Sequence, residues 1–411
     1  MVGGQWRTSI AWYAQGALPG LVVHGARLYS VATSNQVMTR DGHAIAQALP
    51  IQALSLDVSR DLIRPIQYLR AVAALMVVWV HALYIIPGAA GQFNVPNFGG
   101  AGVDLFFVIS GFIMVVTTAE KEVGPVQFFC RRIVRIAPLY WLATLARIAV
   151  PAYEDSFKNL NYPPVVIAKS LLFIPCTAVW GHPPGNVFPI LAQGWTLNLE
   201  MFFYVLFAFS LAAPRRLRLP GLAVTLVSLA VIGRLFGPFM EPLAAVYTNP
   251  LLLEFTAGMI LAHGWLRDGS RGWSPWSWLF VAVGVCAIGL RDSNFLAQHP
   301  GFVTMCAAVI IVGACLHPKI SAIQNRPLLE LGNASYAIYL FHGFVLEALV
   351  WNWHRVFPIV TLASSVLFMA LALPLCAVAG WLCYQFIERP LTSRLRKFVK
   401  ASASGATASY G

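Results

Sequence analysis

The stretch 66–86, IQYLRAVAALMVVWVHALYII, decides how this chain has to be read. Ten consecutive apolar residues separate Arg70 from His81, so a permanent cation and a titratable imidazole share one segment long enough to cross hydrocarbon roughly 30 Å thick. An ionisable group in hydrocarbon typically costs a few kcal/mol and therefore usually faces a protein interior or a water-filled cavity. Along a helix the two side chains are roughly 16 Å apart, about three turns, and fall on the same face. Two readings stand for the pair. Arg70 snorkels to headgroups while His81 hydrogen-bonds a neighbouring helix, or one cavity receives both.

Outward from that segment the composition agrees with a membrane protein. Of 411 residues, 58% are hydrophobic and 11% charged, which excludes an ordinary soluble domain. Apolar runs of spanning length occur at about 66–86, 100–118, 137–150, 194–213, 219–238, 249–267, 275–290, 300–316, 328–350 and 359–387. The expected fold is all-α, a polytopic integral membrane protein of about ten transmembrane helices, with 165–175 (VVIAKSLLFIP) re-entrant or interfacial. Residues 1–60 are mixed in polarity and are expected to be an N-terminal extension, disordered or a start-site artefact with Met38 as a later start. Residues 61–395 form the transmembrane domain, and 396–411 a cytoplasmic tail of basic and small residues.

Basic residues fall in alternate loops. One set holds Lys121, Arg131, Arg132, Arg135, Arg215, Arg216, Arg218, Arg267, Arg271, Lys319 and Arg326, with Arg389, Arg394, Arg396, Lys397 and Lys400 in the tail; the other holds Lys158, Arg291 and Arg355. Because Lys and Arg are retained inside, both termini are expected in the cytoplasm. The same asymmetry explains most of the net charge of +12 as placement beside anionic membrane lipid. No aromatic-interleaved basic stripe points to nucleic acid. Seven cysteines without CxxC spacing read as buried small hydrophobes, and no metal is expected. No internal repeat suggests the paired halves of many transporters.

The polar residues inside the apolar runs are the candidates for chemistry. Asp104, in AGVDLFFVISGF, lies near the outer surface, where it can charge-pair His81 or be a solvated helix-start residue. Arg131, Arg132 and Arg135 stand at i, i+1 and i+4, so Arg131 and Arg135 share a face at the cytoplasmic interface. Their forked guanidinium groups suit phosphates, those of a CoA nucleotide or of lipid headgroups. QGWTLNLEMFFYVLFAF carries Glu200 with Trp195 and Asn198 close by. LGNASYAIYLFHGFV sets His342 near mid-membrane with Tyr339 and Tyr336 below it, and Glu254 is a weaker candidate. The run His263 to Asp268 fits the acyltransferase pattern of a His and an Asp with four residues between them, but it stands at a helix end and reads as chance.

Six segments together resemble the family-3 membrane acyltransferases, including the exopolysaccharide and O-antigen acetylating branches. They are the Arg70-to-His81 spacing, GVDLFFVISGF at 102–112, RRIVRIAPLYW at 131–141, GWTLNLEMFFY at 194–204, LGNASYAIYLFH at 331–342 and IERP at 387–390. The resemblance covers about 62–395. It implies a bacterial inner-membrane enzyme that moves an acyl group, commonly acetyl from acetyl-CoA, onto a hydroxyl of a glycan or lipid-linked sugar. By motif, Arg70 and His81 correspond to the family's first-helix pair, Arg131, Arg132 and Arg135 to its basic segment, and Glu200 to its acidic residue. This chain has LNLEM where many relatives carry a doubled acid.

The expected roles follow from acyl-transfer chemistry. His81 is the general base, Asp104 or Glu200 fixes its tautomer, and Asn198 or Trp195 donates to the oxyanion. Arg70 and the basic segment hold the acyl-CoA donor, with His342 and Tyr339 as secondary candidates. His81, Asp104 and Glu200 are expected together in the outer half of the membrane. The rival classes are a proton-coupled sugar or lipid transporter, which uses buried His, Asp and Glu as a relay, and an assembly subunit of an export complex. Sequence leaves the acceptor and the oligomeric state open.

Overall fold

The computed structural model describes residues 51–86, 99–119, 122–149, 162–178, 187–268, 277–290, 300–316, 323–357 and 359–408. Regular structure among the described residues is entirely helical, and the site lies within one compact unit, Ser55–Gly411. The helices are α1 (Ile51–Ile85), α2 (Gly99–Ala119), α3 (Pro125–Ala149), α4 (Pro164–Leu171), α5 (Gly194–Leu211), α6 (Arg215–Phe236) and α7 (Pro242–Tyr247). They continue with α8 (Leu252–Asp268), α9 (Ser277–Leu290), α10 (Pro300–Cys315), α11 (Arg326–Asn333), α12 (Ser335–Val356), α13 (Leu362–Cys383), a π-helical turn (Tyr384–Glu388) and α14 (Arg389–Ala408). Most of the expected start-site extension lies outside the described residues.

Six helices among the described residues are long and apolar enough to span a membrane, seven if the bent pair α11–α12 counts as one span. That measure does not reach the expected ten. The apolar cores of α9 and α10 are short, Leu279–Ile288 and Thr304–Cys315. Helix α3 has the length, but Arg131, Arg132, Arg135 and Arg147 leave it no uninterrupted apolar stretch. The 165–175 segment forms only the two-turn α4, which starts at Pro164 and stops at Leu171.

Burial sorts the spans by position. The α2 span is 67% buried and the α6 span 17%, so α2 runs through the protein and α6 lines its edge, with Val224 and Leu235 exposed as a lipid-facing stripe. Helix α2 is held centrally by close backbone approach. A methyl group at Gly111 would stand 2.2 Å from the Phe255 carbonyl oxygen, and one at Gly258 would stand 2.1 Å from that of Val108. These reciprocal contacts let α2 and α8 pack backbone against backbone, as small residues allow in membrane bundles. Phe107 and Phe203 then stack on Phe255 at 4.7 and 4.2 Å between centroids.

Between α11 and α12 the chain bends by 74°. Asn325 caps α11 by accepting the Leu328 N–H at 2.9 Å, and a new helix starts at Ser335. The break presents the first turn of α12 toward α1, α3 and the end of α13, where the site is built.

Candidate active site

Five helices surround a cavity of about 70 Å³. Helix α1 supplies Arg70, and α2 supplies Val103, Phe106, Phe107 and Ser110 at the i, i+3, i+4, i+7 spacing of one helix face. Arg132, Arg135 and Ile136 come from α3, Thr196, Leu197, Glu200 and Tyr204 from α5, and Tyr336 and Tyr339 from α12. That volume has room for several water molecules or a slender chain.

The cavity is built around cations. Arg70 is buried, and Arg132 lies against the Phe128 and Tyr204 rings at 5.3 and 5.9 Å. The Arg132 Nε is buried without a hydrogen-bond partner. Among the described residues no carboxylate closes to ion-pair distance on Arg70, Arg132 or Arg135. Glu200 stands in the same cavity, but its Oε1 is occupied by two hydroxyls: Ser110 Oγ donates at 3.1 Å and Tyr204 OH donates from one turn further along α5. The Tyr336 hydroxyl donates to the Ile136 carbonyl at 2.8 Å, tying α12 to α3.

Beyond Tyr339 lies a second constellation. The His81 and His342 rings meet edge to face with centroids 4.8 Å apart. Each Nδ1 bonds a carbonyl of its own helix, His81 to Val77 at 2.8 Å and His342 to Tyr339 at 2.7 Å. A carbonyl only accepts, so both Nδ1 atoms carry the proton and both Nε2 atoms present a lone pair. His342 is buried and its Nε2 has no partner among the described residues, whereas His81 is exposed. Tyr339 links the two regions. It lines the cavity, its ring lies 6.1 Å from that of His342 and 6.1 Å from that of Phe106, and its hydroxyl is fixed by Thr196 Oγ1 at 2.7 Å and the Gln193 carbonyl at 2.9 Å.

The expected residues therefore divide. Arg70, Arg132, Arg135, Glu200 and Tyr339 meet at the cavity, while His81 meets His342. Glu200 does not join His81: the Ser110 and Tyr204 hydroxyls hold it at the cavity. Asp104 is buried and neighbours the buried Glu254 across the α2–α8 contact, off the face of α2 that lines the cavity. Arg131 is exposed, so the arginines that share the cavity are those at i and i+3. Trp195 is outside the cavity lining, and Asn198 is buried with both side-chain polar atoms unpartnered. Two residues apart on a helix point to different sides, which is why Asn198 cannot accompany Glu200. Tyr204 and Ser110 were not singled out for the site, although the four-residue spacing from Glu200 to Tyr204 is a readable signal. Among the described residues no three His, Cys, Asp or Glu side chains converge as a metal site.

Comparison with known sequences decides the family. Residues 63–385 match the family model described as acyltransferase domain. The chain belongs to that acyltransferase family. It is 35% identical over 313 residues to the exopolysaccharide production protein ExoZ of Rhizobium meliloti, covering 75% of this chain and 95% of that protein. It is 24% identical to the peptidoglycan O-acetyltransferase OatA of Listeria monocytogenes, over 81% of this chain and 56% of that one. With the O-acetyltransferase OatA of Staphylococcus aureus the identity is 25%, over 72% and 53%. The chain thus spans about half the length of the two OatA relatives. No solved structure gives a significant match. This acyltransferase-family chain is a multi-pass membrane protein.

Proposed function

We propose that this chain is an O-acyltransferase that moves an acyl group, acetyl foremost, from acyl-CoA to a hydroxyl of a surface polysaccharide or lipid-linked sugar. The observation that carries the reading is the set Arg70, Arg132 and Arg135, gathered at one cavity with no carboxylate at ion-pair distance among the described residues. Burying cations without partners is costly. An anion with several oxygens offsets that cost, and guanidinium–phosphate contacts are the strong, bidentate form. The phosphates of CoA have that chemistry, and the pantetheine arm is thin enough for a narrow channel. On this reading the acyl end extends past Phe106 and Tyr339 toward His81.

The chemistry at that end falls to the histidine pair. With Nδ1 tied to Val77, the His81 Nε2 is free to take the proton of an acceptor hydroxyl. As the proton leaves, the hydroxyl oxygen attacks the thioester carbonyl and a tetrahedral oxyanion forms. Collapse breaks the C–S bond, the ester stays on the acceptor, and His81 returns its proton to the departing thiolate. A positioned base of this kind contributes typically 10²–10⁴-fold. Exposure of His81 gives an acceptor access, and burial of His342 behind it excludes water from one side. Both termini are cytoplasmic on this reading, in a bacterial inner membrane with the donor inside and the acceptor outside. The similarity to ExoZ supports an exopolysaccharide as the first acceptor to try.

The test pairs a deletion strain with the purified full chain. Mass spectrometry of surface polysaccharide and lipid-linked sugars from the strain should lack one acyl increment, and the purified chain with acetyl-CoA should restore it. Intact acylation in the strain, together with no consumption of acetyl-CoA by the folded chain, would overturn the reading.

A further inference from the structure

The reaction proposed above puts a negative charge on an oxygen that began neutral, and the two side chains expected to face that charge, Trp195 and Asn198, do not line the cavity. Gln193, which sequence reasoning passed over, does reach the junction between the cavity and the histidine pair. It is half-buried and stands just before α5 at the capping position, where short polar side chains commonly accept a free N–H of the first turn; its side chain makes no such bond. The backbone there is anchored instead. The Gln193 carbonyl accepts the Tyr339 hydroxyl at 2.9 Å, and the next residue donates its N–H to the Leu191 carbonyl at 2.8 Å.

From that anchor the side chain runs to α12 and ends against Gly343. A methyl group at position 343 would stand 2.6 Å from the Gln193 Nε2 and 3.7 Å from its Cδ, and beyond its own helix it would meet no other atom within 4 Å among the described residues. Glycine inside a helix is destabilising relative to alanine, so α12 carries a weakening residue whose missing side chain admits this amide and nothing else. Gly343 lies one turn after Tyr339 and directly after His342, whose ring meets that of His81 at 4.8 Å between centroids. The amide is therefore set on α12 beyond Tyr339, on the route by which the acyl end approaches His81. It brings two N–H donors and no charge.

We propose, resting on the acyl-transfer reading above, that the Gln193 amide is the hydrogen-bond donor to the tetrahedral oxyanion and that the absence of a side chain at position 343 holds it in place. As the acceptor oxygen bonds to the thioester carbon, its proton passes to the His81 Nε2 and the carbonyl π pair moves onto oxygen, where the Gln193 N–H donates to it. When the carbonyl re-forms, the C–S bond breaks and the thiolate takes the proton from His81. The amide is unchanged throughout. A fixed neutral donor holds the oxyanion more strongly than the ground-state carbonyl, so its contribution appears in kcat rather than in substrate affinity.

The experiment measures transfer by the purified full chain in lipid nanodiscs, from acetyl-CoA to the unacylated polysaccharide and lipid-linked sugars extracted from the deletion strain. The natural sequence is compared with Gln193→Met, Gly343→Ala and the double variant. Met keeps the length of the side chain and deletes the donors, so kcat should fall roughly 10²-fold while the KM for acetyl-CoA and the half-saturating amount of acceptor stay unaltered. Gly343→Ala keeps the glutamine, favours the helix and pushes the amide aside. It should lower kcat about tenfold and cost nothing further once Gln193 is Met. Gly343→Ala carries the test alone if Gln193→Met does not fold. An unchanged kcat in folded variants, or a raised half-saturating amount of acceptor with kcat recovered at saturation, would overturn the proposal and leave the acyl-transfer reading intact; the second result would make Gln193 an acceptor-binding residue. Losses that multiply in the double variant would overturn the role given to Gly343. No transfer by the natural chain would remove the acyl-transfer reading and this proposal together.

Discussion

The arginine cavity and the histidine pair share two helices, yet they treat charge in opposite ways. Helix α1 gives Arg70 to the first and His81 to the second; α12 gives Tyr336 and Tyr339 to the first and His342 to the second. At the cavity, among the described residues, the cations stand without a carboxylate at ion-pair distance and Glu200 is held by hydroxyls. At the pair, each imidazole has its Nδ1 proton committed to its own helix. The first arrangement is suited to holding an anion, the second to receiving a proton at a defined nitrogen. On the proposed function, binding and chemistry are separated by Tyr339, which lines the cavity and neighbours His342.

That division can be broken from either end. The largest effect should come from His81→Ala, which removes the base: transfer should fall by roughly 10²–10⁴-fold while CoA affinity, measured by calorimetry, stays near that of the natural chain. Loss of both together would mean the two regions are not separable. Next is Arg132→Gln, which should raise the donor KM by roughly 10–100-fold, the range for losing charge-assisted hydrogen bonds of about 1.5–3 kcal/mol, with a much smaller change in kcat. An unchanged KM would remove the cavity from donor binding. His342→Phe keeps a ring beside His81 but deletes the buried Nε2 lone pair. It should lower kcat about tenfold with KM unaltered, and a KM effect would instead join His342 to the cavity. The smallest change belongs to Arg147→Met. Arg147 bonds both Glu347 oxygens at 2.8 and 2.7 Å away from either region, so thermal stability should drop by about 1 kcal/mol or less and transfer should persist.

How much of this could be read from the sequence differs by element. The stretch 66–86 predicts its span, and the structure has one at Arg64–Ile85; ten uninterrupted apolar residues flanked by further apolar positions admit little else. The runs at 100–118, 194–213 and 219–238 likewise match α2, α5 and α6. Helix α3 is where composition failed, because its arginines are charged by sequence and shielded by tertiary structure: Arg132 lies on Phe128 and Tyr204, one of them from another helix. Which of Arg131 and Arg132 turns inward depends on how α3 is rotated against α5, and spacing within α3 cannot supply that angle. Asp104 was grouped with His81 because both lie toward one end of their helices. The α2–α8 contact at Gly111 and Gly258 instead directs that carboxylate to Glu254. The face Val103, Phe106, Phe107 and Ser110 was present as a periodic stripe, and Asp104 falls outside it. The π turn at Tyr384–Glu388 had no signal in composition.

The bend at residue 334 has a consequence for how the protein is made. The first turn of α12 is tied down by the Tyr336 hydroxyl on the Ile136 carbonyl, 200 positions earlier in the chain. A ribosome that has inserted α1 to α5 has therefore delivered every arginine of the cavity lining before Tyr336 and Tyr339, which close it, are made. The cavity is complete only once α12 is in place, so a chain stalled before residue 335 would carry the arginines with one wall open.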